Sequence, residues 1–137
     1  MDIPNILKFM HPDAVWSVGE DYDSLVWPEQ EFEKPTLQQI KDAELLYQIK
    51  QLITDFGLAI QKHIESTAHA KQYESSLHCA SYVASANEAW KLESQTFIDW
   101  RDKCWEYAYM VEAKVKAGDK APTVDEFIAG TPAISWQ

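Results

Sequence analysis

The feature that most constrains the fold is a long helical repeat of apolar residues that begins at Leu37. Thr36 before it and Gln39 after it form the capping-box pattern that starts a helix. Apolar side chains then recur every three or four residues, at Ile40, Leu45, Ile49, Leu52, Phe56, Ile60 and Ile64. This spacing predicts one helix to about residue 70, roughly 50 Å long at about 1.5 Å per residue, unless Gly57 interrupts it.

A second long helix is predicted from Glu88 to about Ala117, with Asn87 as its N-cap and Gly118 as its C′ residue. At about 100° per residue, one of its faces holds Trp90, Phe97, Trp100, Cys104, Ala108, Val111 and Val115. An adjoining face holds Ile98, Trp105 and Tyr109. Together they form an apolar band that is wider than one neighbouring helix requires. Either two neighbouring segments cover this band, or part of it stays exposed for a partner.

Arg101 is the only arginine of the chain, and it falls within the apolar band. A half-buried guanidinium needs a carboxylate or several carbonyl groups around it. We therefore predict an internal ion pair with an acidic residue of another segment, and an interface anchor is the alternative. The residues assigned to the core and to helix orientation are Trp90, Phe97, Trp100, Arg101, Cys104 and Trp136.

The first 35 residues differ from the helical remainder. The segment IPNILKFM predicts a short amphipathic helix, and PEQEFEKP, residues 28–35, predicts a loop. Between them, AVWSVGEDYDSLVW has apolar ends around a polar centre, which favours a β-hairpin. An isolated hairpin is marginal in water, so it would pack on another element or join a partner's sheet. The candidate partner contacts are Trp16, Tyr22, Trp27, Trp105 and Tyr109.

Shorter helical patterns complete the chain. Residues 73–76 predict a break with a serine cap, and residues 77–84 predict a short helix. Thr123 and Glu126 form a capping box for another helix, which ends at Gly130. The predicted fold is mainly α: two long helices and shorter C-terminal helices form a bundle, with a small N-terminal β-hairpin. The predicted domains are 1–35, the short helix and hairpin, and 36–137, the helical domain.

The charge of the chain argues against two classes of partner. The net charge is −10, and no Lys/Arg cluster is present, so we expect binding neither to nucleic acid nor to an anionic membrane. No apolar run is long enough for a transmembrane helix, and the N-terminus lacks the pattern of a signal peptide. Cys79 and Cys104 lie among apolar residues of helical patterns, which predicts two buried free thiols and cytosolic synthesis.

No motif of catalysis or metal binding is found. The four histidines lack the i, i+4 spacing of a helical zinc site, and neither CxxC nor HExxH occurs. His78 and Cys79 are adjacent, so on a helix their side chains point about 100° apart and form no dyad. The acidic sequence EDYD lacks the length and spacing of a calcium loop, which favours a solvated turn. We therefore predict a non-enzyme without a cofactor.

Two stretches of the chain resemble small tailed-bacteriophage proteins that are encoded beside tail-fibre genes. Residues 61–136 contain HIESTA, CASY, WRDKCWEYAY, an AG pair, PTVDE and a closing PAISW, in the order of that family's pattern. The matching positions are Tyr73, Ser81, Tyr82, Trp100, Arg101, Asp102, Trp105, Tyr109, Gly118, Pro122, Thr123, Pro132 and Trp136. The segment DAVWSVGEDYDSLVWPEQEFEKPT is similar to another small phage segment. Thr131 departs from the pattern, in which a Leu usually precedes the Pro, and puts that hydrophobic contact in question.

The resemblance implies a tail-fibre assembly chaperone, which binds the fibre and assists its folding, trimerisation or attachment. A permanent structural component of the phage tail, such as a fibre or baseplate connector, is the alternative. The expected partner is a tail-fibre or baseplate protein, with a second copy of the chain as a further alternative. The expected location is the host cytoplasm during assembly, or the virion tail if the protein is retained there.

Overall fold

A computed structural model describes residues 1–136 and consists of helices joined by turns. The helices are α1 (Ile3–Met10), α2 (Leu37–Ala70), α3 (Ser76–Ser81), α4 (Glu88–Lys116) and α5 (Val124–Ala129). Two 3-10 turns lie at Tyr22–Ser24 and Tyr82–Ala84. Gln137, the last residue of the predicted domain 36–137, lies outside the described residues.

The chain divides into two compact units, the first Met1–Leu52 and the second starting at Ile53. The division therefore falls within α2 and differs from the predicted domain boundary after residue 35. The reason is that the start of α2 packs with the N-terminal segment, since Ile40 belongs to the same buried cluster as Ile3, Ile6, Leu7 and Leu25.

The predicted helix starts are confirmed by their capping hydrogen bonds. The backbone N–H of Gln39 donates to Thr36 Oγ1 at 3.2 Å, and that of Thr36 donates to Gln39 Oε1 at 2.8 Å. Asn87 Oδ1 accepts the N–H of Trp90 at 3.2 Å and caps α4. Thr123 forms a full capping box for α5. The α2 helix continues through Gly57 without a break.

Both long helices end with a residue at positive φ. Gly118 has φ 101° and follows α4, as predicted. Gln72 has φ 71° after α2, and the N–H of Tyr73 donates back to the Ala68 carbonyl at 3.0 Å. Glutamine lacks the conformational freedom that glycine has in this region, so the turn after α2 carries backbone strain.

The predicted N-terminal β-hairpin is wrong, because residues 1–136 contain no strand. One isolated antiparallel bridge, Ser17 with Val26, is found where the hairpin was expected. Side-chain hydrogen bonds take the backbone groups that a ladder would need. The amide of Gln30 bonds both the N–H and the C=O of Val15, each at 2.8 Å. Ser24 Oγ accepts the N–H of Gly19 at 2.7 Å, so the polar centre forms a compact turn.

The core of the second unit combines buried residues of α2, α4 and α5. Its α2 members are Phe56, Ile60, Ile64 and Ala68, and its α4 members are Phe97, Trp100, Cys104, Ala108, Val111 and Val115. Phe127 of α5 is fully buried and stacks on Phe56, with ring centroids 4.3 Å apart. The burial of both α2 and α4 at helical spacing confirms the predicted helical core.

The C-terminal tail is docked on the second unit. Trp100 Nε1 donates to the Pro132 carbonyl at 2.7 Å, and the Trp136 ring stacks on Phe97 at 6.3 Å. Thr131 is engaged by polar contacts: its hydroxyl donates to the Ile128 carbonyl at 2.7 Å and lies 3.3 Å from His63 Nε2. Thr131 is therefore held in the tail through its hydroxyl group.

Candidate partner-binding site

The three candidate aromatic residues of the first unit are half-buried against its core. Trp27 Nε1 donates to the Phe32 carbonyl at 2.9 Å, and the Tyr22 hydroxyl donates to the Pro35 carbonyl at 2.9 Å. Trp16 packs on the same core. Because the polar atoms of Tyr22 and Trp27 are bonded internally, these rings stabilise the unit. A partner would meet only their exposed edges.

The sequence reasoning missed two valines beside these rings. Val15 is 67% exposed and Val26 is 59% exposed, although both are large apolar residues. The neighbours of Val26, Leu25 and Trp27, turn towards the core. The extended pattern of residues 25–27 could have indicated the exposure of Val26, because alternate side chains point to opposite sides and Val26 lies opposite the buried Leu25.

The strongest candidate surface of the second unit is the α4 aromatic face, which we define as Ile98, Trp105 and Tyr109. Tyr109 is 63% exposed, while Ile98 and Trp105 are half-buried. The rings of Trp105 and Tyr109 are 6.0 Å apart. The two predicted partner contacts of this helix thus lie together, with an aromatic surface open to solvent.

The predicted partner of Arg101 is wrong. Its Nε and Nη2 atoms donate to Asp102 Oδ1 at 3.0 and 2.9 Å, so the carboxylate comes from the adjacent residue and not from another segment. The side chains of Arg101 and Asp102 are 33% and 58% exposed, which allows the pair to form with little loss of hydration. An exposed pair of this kind contributes at most about 1 kcal/mol to stability and orients the helix weakly.

Of the six residues assigned to the core and to helix orientation, four lie in or on the core; Trp90 and the half-buried Arg101 do not. Phe97 and Cys104 are fully buried, Trp100 is 5% exposed, and Trp136 is half-buried on Phe97. The core assignment of Trp90 is wrong, because its side chain is 50% exposed. The physical reason is position along the helix: residues 86–90 are all exposed, so neighbouring segments cover the start of α4 only in part.

A second aromatic group, missed by the sequence reasoning, surrounds the start of α4. Ring contacts join Tyr73 to Tyr82 at 5.8 Å, and Tyr82 to both His78 and Trp90 at 5.3 and 5.6 Å. The Tyr73 hydroxyl donates to Glu93 Oε2 at 2.6 Å. Burial, together with this carboxylate, raises the pKa of Tyr73 well above its usual value, so the phenol keeps its proton.

The tautomer of His78 follows from its partners. The backbone N–H of Glu74 can only donate, so His78 Nδ1, at 3.1 Å, accepts this bond. The other nitrogen, Nε2, therefore carries the proton and donates to the Tyr82 hydroxyl oxygen at 3.2 Å. Both ring nitrogens are thus used to hold the α2–α3 turn and the Tyr82 ring, and neither is directed to the thiol of Cys79.

The two cysteines are buried free thiols, as predicted. Burial raises the pKa of each to about 11, with a smaller contribution from Glu93 at Cys79. Within residues 1–136, no three His, Cys, Asp or Glu side chains are placed to hold a metal ion. None of the helices described is long and apolar enough to cross a membrane.

Comparisons with known proteins were negative: no family model matches the chain, and no match was found among curated proteins or solved structures. The expectation of a phage tail protein therefore rests on the sequence pattern alone. The exposed aromatic surfaces are the features from which a function can be argued.

Proposed function

We propose that the chain binds a bacteriophage tail fibre or a neighbouring tail protein and assists its folding, trimerisation or attachment. The observation that carries the proposal is the α4 aromatic face, on which Tyr109 is 63% exposed beside the ring of Trp105. Tyrosine and tryptophan are the residues that most often anchor protein interfaces, because each buries a large area with few rotatable bonds. The tail fibre as partner is supported by the sequence resemblance of residues 61–136.

The surfaces of an unassembled fibre subunit and of this chain are consistent with a chaperone role. Fibres are trimers with extensive β-structure, and a subunit that has not yet assembled exposes strand edges that aggregate. An aromatic face can cover apolar surface on such a subunit until trimerisation buries it. The net charge of −10 would keep the resulting complex soluble through mutual repulsion.

A permanent place in the phage tail is the second candidate function. Val15 and Val26, 67% and 59% exposed, give the first unit an apolar surface of its own. A chain that carries one contact surface in each unit suits a connector between two tail components. This candidate predicts a fixed number of copies in the virion, whereas an assembly chaperone is absent from it.

Co-expression with a tail-fibre gene from the same genome tests the proposal. We expect the wild-type chain to form a complex with the fibre and to raise the yield of soluble trimer. Trp105→Ala and Tyr109→Ala should weaken the complex at least tenfold, since interface aromatics commonly contribute about 2 kcal/mol or more. Met110→Ala, 47% exposed on the same helix, is the matched control and should bind normally.

Two results decide the outcome. If no complex forms, and if fibre solubility and trimer yield are the same with and without the chain, the proposal fails. Quantitative mass spectrometry of purified virions separates the two candidate functions. A stoichiometric copy number would replace the chaperone with the connector.

A further inference from the structure

An open pocket of about 240 Å³ lies where the α2–α3 turn meets the start of α4. We call it the aromatic pocket and define it by Lys71, Tyr73, His78, Tyr82, Trp90 and Glu93. It is smaller than the roughly 300–1,000 Å³ sites that enclose drug-sized ligands. Its size therefore suits the end of one side chain rather than a whole cofactor.

Three of the pocket rings are electron-rich. The Tyr73, Tyr82 and Trp90 rings form a chain of neighbours at 5.8 and 5.6 Å. Trp90 is 50% exposed, so half of an indole surface faces solvent with no residue covering it. The faces of indole and phenol rings attract cations, and indole attracts them most strongly.

One carboxylate completes the pocket. Glu93 accepts a hydrogen bond from the Tyr73 hydroxyl through Oε2 at 2.6 Å, which fixes the position of its carboxyl group. Lys71 Nζ lies 3.5 Å from Glu93 Oε1, while the same ammonium lies 5.1 Å from the centroid of the Trp136 ring. The lysine is thus shared between two groups and partly neutralises the glutamate.

We propose that the aromatic pocket binds a basic side chain, arginine or lysine, that a protein partner presents to it. The cation would lie against the Trp90 indole and near the Glu93 carboxylate. Charge complementarity supports this occupant, because the chain has 22 acidic and 12 basic residues, and its net charge of −10 attracts cationic partners. The inference rests on the proposed role as a protein-binding chain, but its chemistry can be tested without the partner.

The test uses Nα-acetyl-arginine amide as the probe and Nα-acetyl-citrulline amide as its neutral isostere. Binding is followed at low salt by NMR, through the indole N–H resonance of Trp90 and the backbone resonances of residues 71–93. We expect saturable shifts with the arginine probe and none with citrulline. Trp90→Leu should weaken binding about two- to fivefold, which is the usual contribution of an exposed cation–π contact.

Two lysine variants separate the pocket from the general charge of the protein. Lys71→Met removes a like charge from the pocket and should tighten arginine binding about fivefold in dilute buffer. Lys62→Met changes the net charge equally from an exposed site on α2, which ends just before Lys71, and should change the affinity less than Lys71→Met does. Glu93→Gln keeps an acceptor for Tyr73 and should weaken binding.

Several outcomes would overturn the proposal: equal binding of citrulline, an unchanged affinity in Trp90→Leu, or the same gain in Lys62→Met as in Lys71→Met. Dispersed spectra of each variant show that the fold is retained. Since the probe is a free amino-acid derivative, failure here leaves the binding of a tail fibre untouched, and failure of fibre binding leaves this pocket untouched.

Discussion

Replacing Trp100 by alanine should be one of the most damaging single changes in the second unit. The side chain is 5% exposed, and its ring contacts Phe97 and His63 at centroid distances of 5.7 and 5.5 Å. Truncating a buried tryptophan costs about 3–5 kcal/mol through lost burial and the cavity that remains. Total stability is commonly about 5–15 kcal/mol, so this loss would remove a large share of it.

The indole N–H adds a contribution that a second variant isolates. Trp100→Phe keeps an aromatic ring but removes the donor to the Pro132 carbonyl, which lies 2.7 Å away. We expect this variant to lose about 1–2 kcal/mol, from the hydrogen bond and the smaller ring. Because Pro132 belongs to the docked tail, both variants should also speed amide hydrogen exchange in residues 131–136.

Urea denaturation followed by circular dichroism measures both losses without relying on tryptophan fluorescence. Trp105→Ala is the control on the same helix, and its half-buried ring should cost less than about 2 kcal/mol. If Trp100→Ala loses less than 1 kcal/mol, or if it loses no more than Trp105→Ala, then Trp100 is not a core residue and the reasoning fails.

Three further predictions concern the backbone and the thiols. Gly57→Ala should stabilise the chain by about 0.5–1 kcal/mol, since the added methyl group meets nothing within 4 Å in the middle of a helix. Gly118→Ala should destabilise it by about 1 kcal/mol, because φ 101° is unfavourable for a residue with a side chain. A thermal melt that shifts the same way for both would contradict this. Gln72→Gly should raise the melting temperature by relieving the strain at φ 71°, and a lower value would refute it. Cys79 and Cys104, each with a pKa of about 11, should resist a thiol reagent at pH 8 until urea unfolds the protein. Rapid labelling of the native chain would show that the two thiols are not buried.

The helices could be predicted because their signals are local. The caps at Thr36, Asn87 and Thr123 act within three residues of the helix start, and each forms the hydrogen bond that its sequence suggested. The predicted N-terminal hairpin was wrong because hydrogen bonds between residues far apart in the sequence determine the structure of this segment. Gln30 reaches back 15 residues to bond both backbone groups of Val15, and no alternation of apolar residues reports such a contact.

The candidate site was only partly predictable, because helical periodicity gives an angle around the axis but no position along it. Trp90 shares the angle of Phe97 and Cys104, and it was assigned to the core for that reason. The first turn of α4 is only partly covered, so Trp90 is half exposed while Phe97 is fully buried. For Arg101, periodicity indicated a need for a carboxylate but could not show that Asp102 beside it would supply one.

Different residues of α4 therefore contribute to stability and to the proposed binding surface. Phe97, Trp100 and Cys104 form a covered seam whose substitution should change unfolding, whereas Tyr109 offers surface that the fold does not use. Trp105 lies between these classes, being half-buried beside Tyr109. A variant set along one helix can thus assign a cause to each loss of function. A defect that follows the melting temperature comes from the seam, and a defect at unchanged melting temperature comes from the exposed surface that we propose for binding.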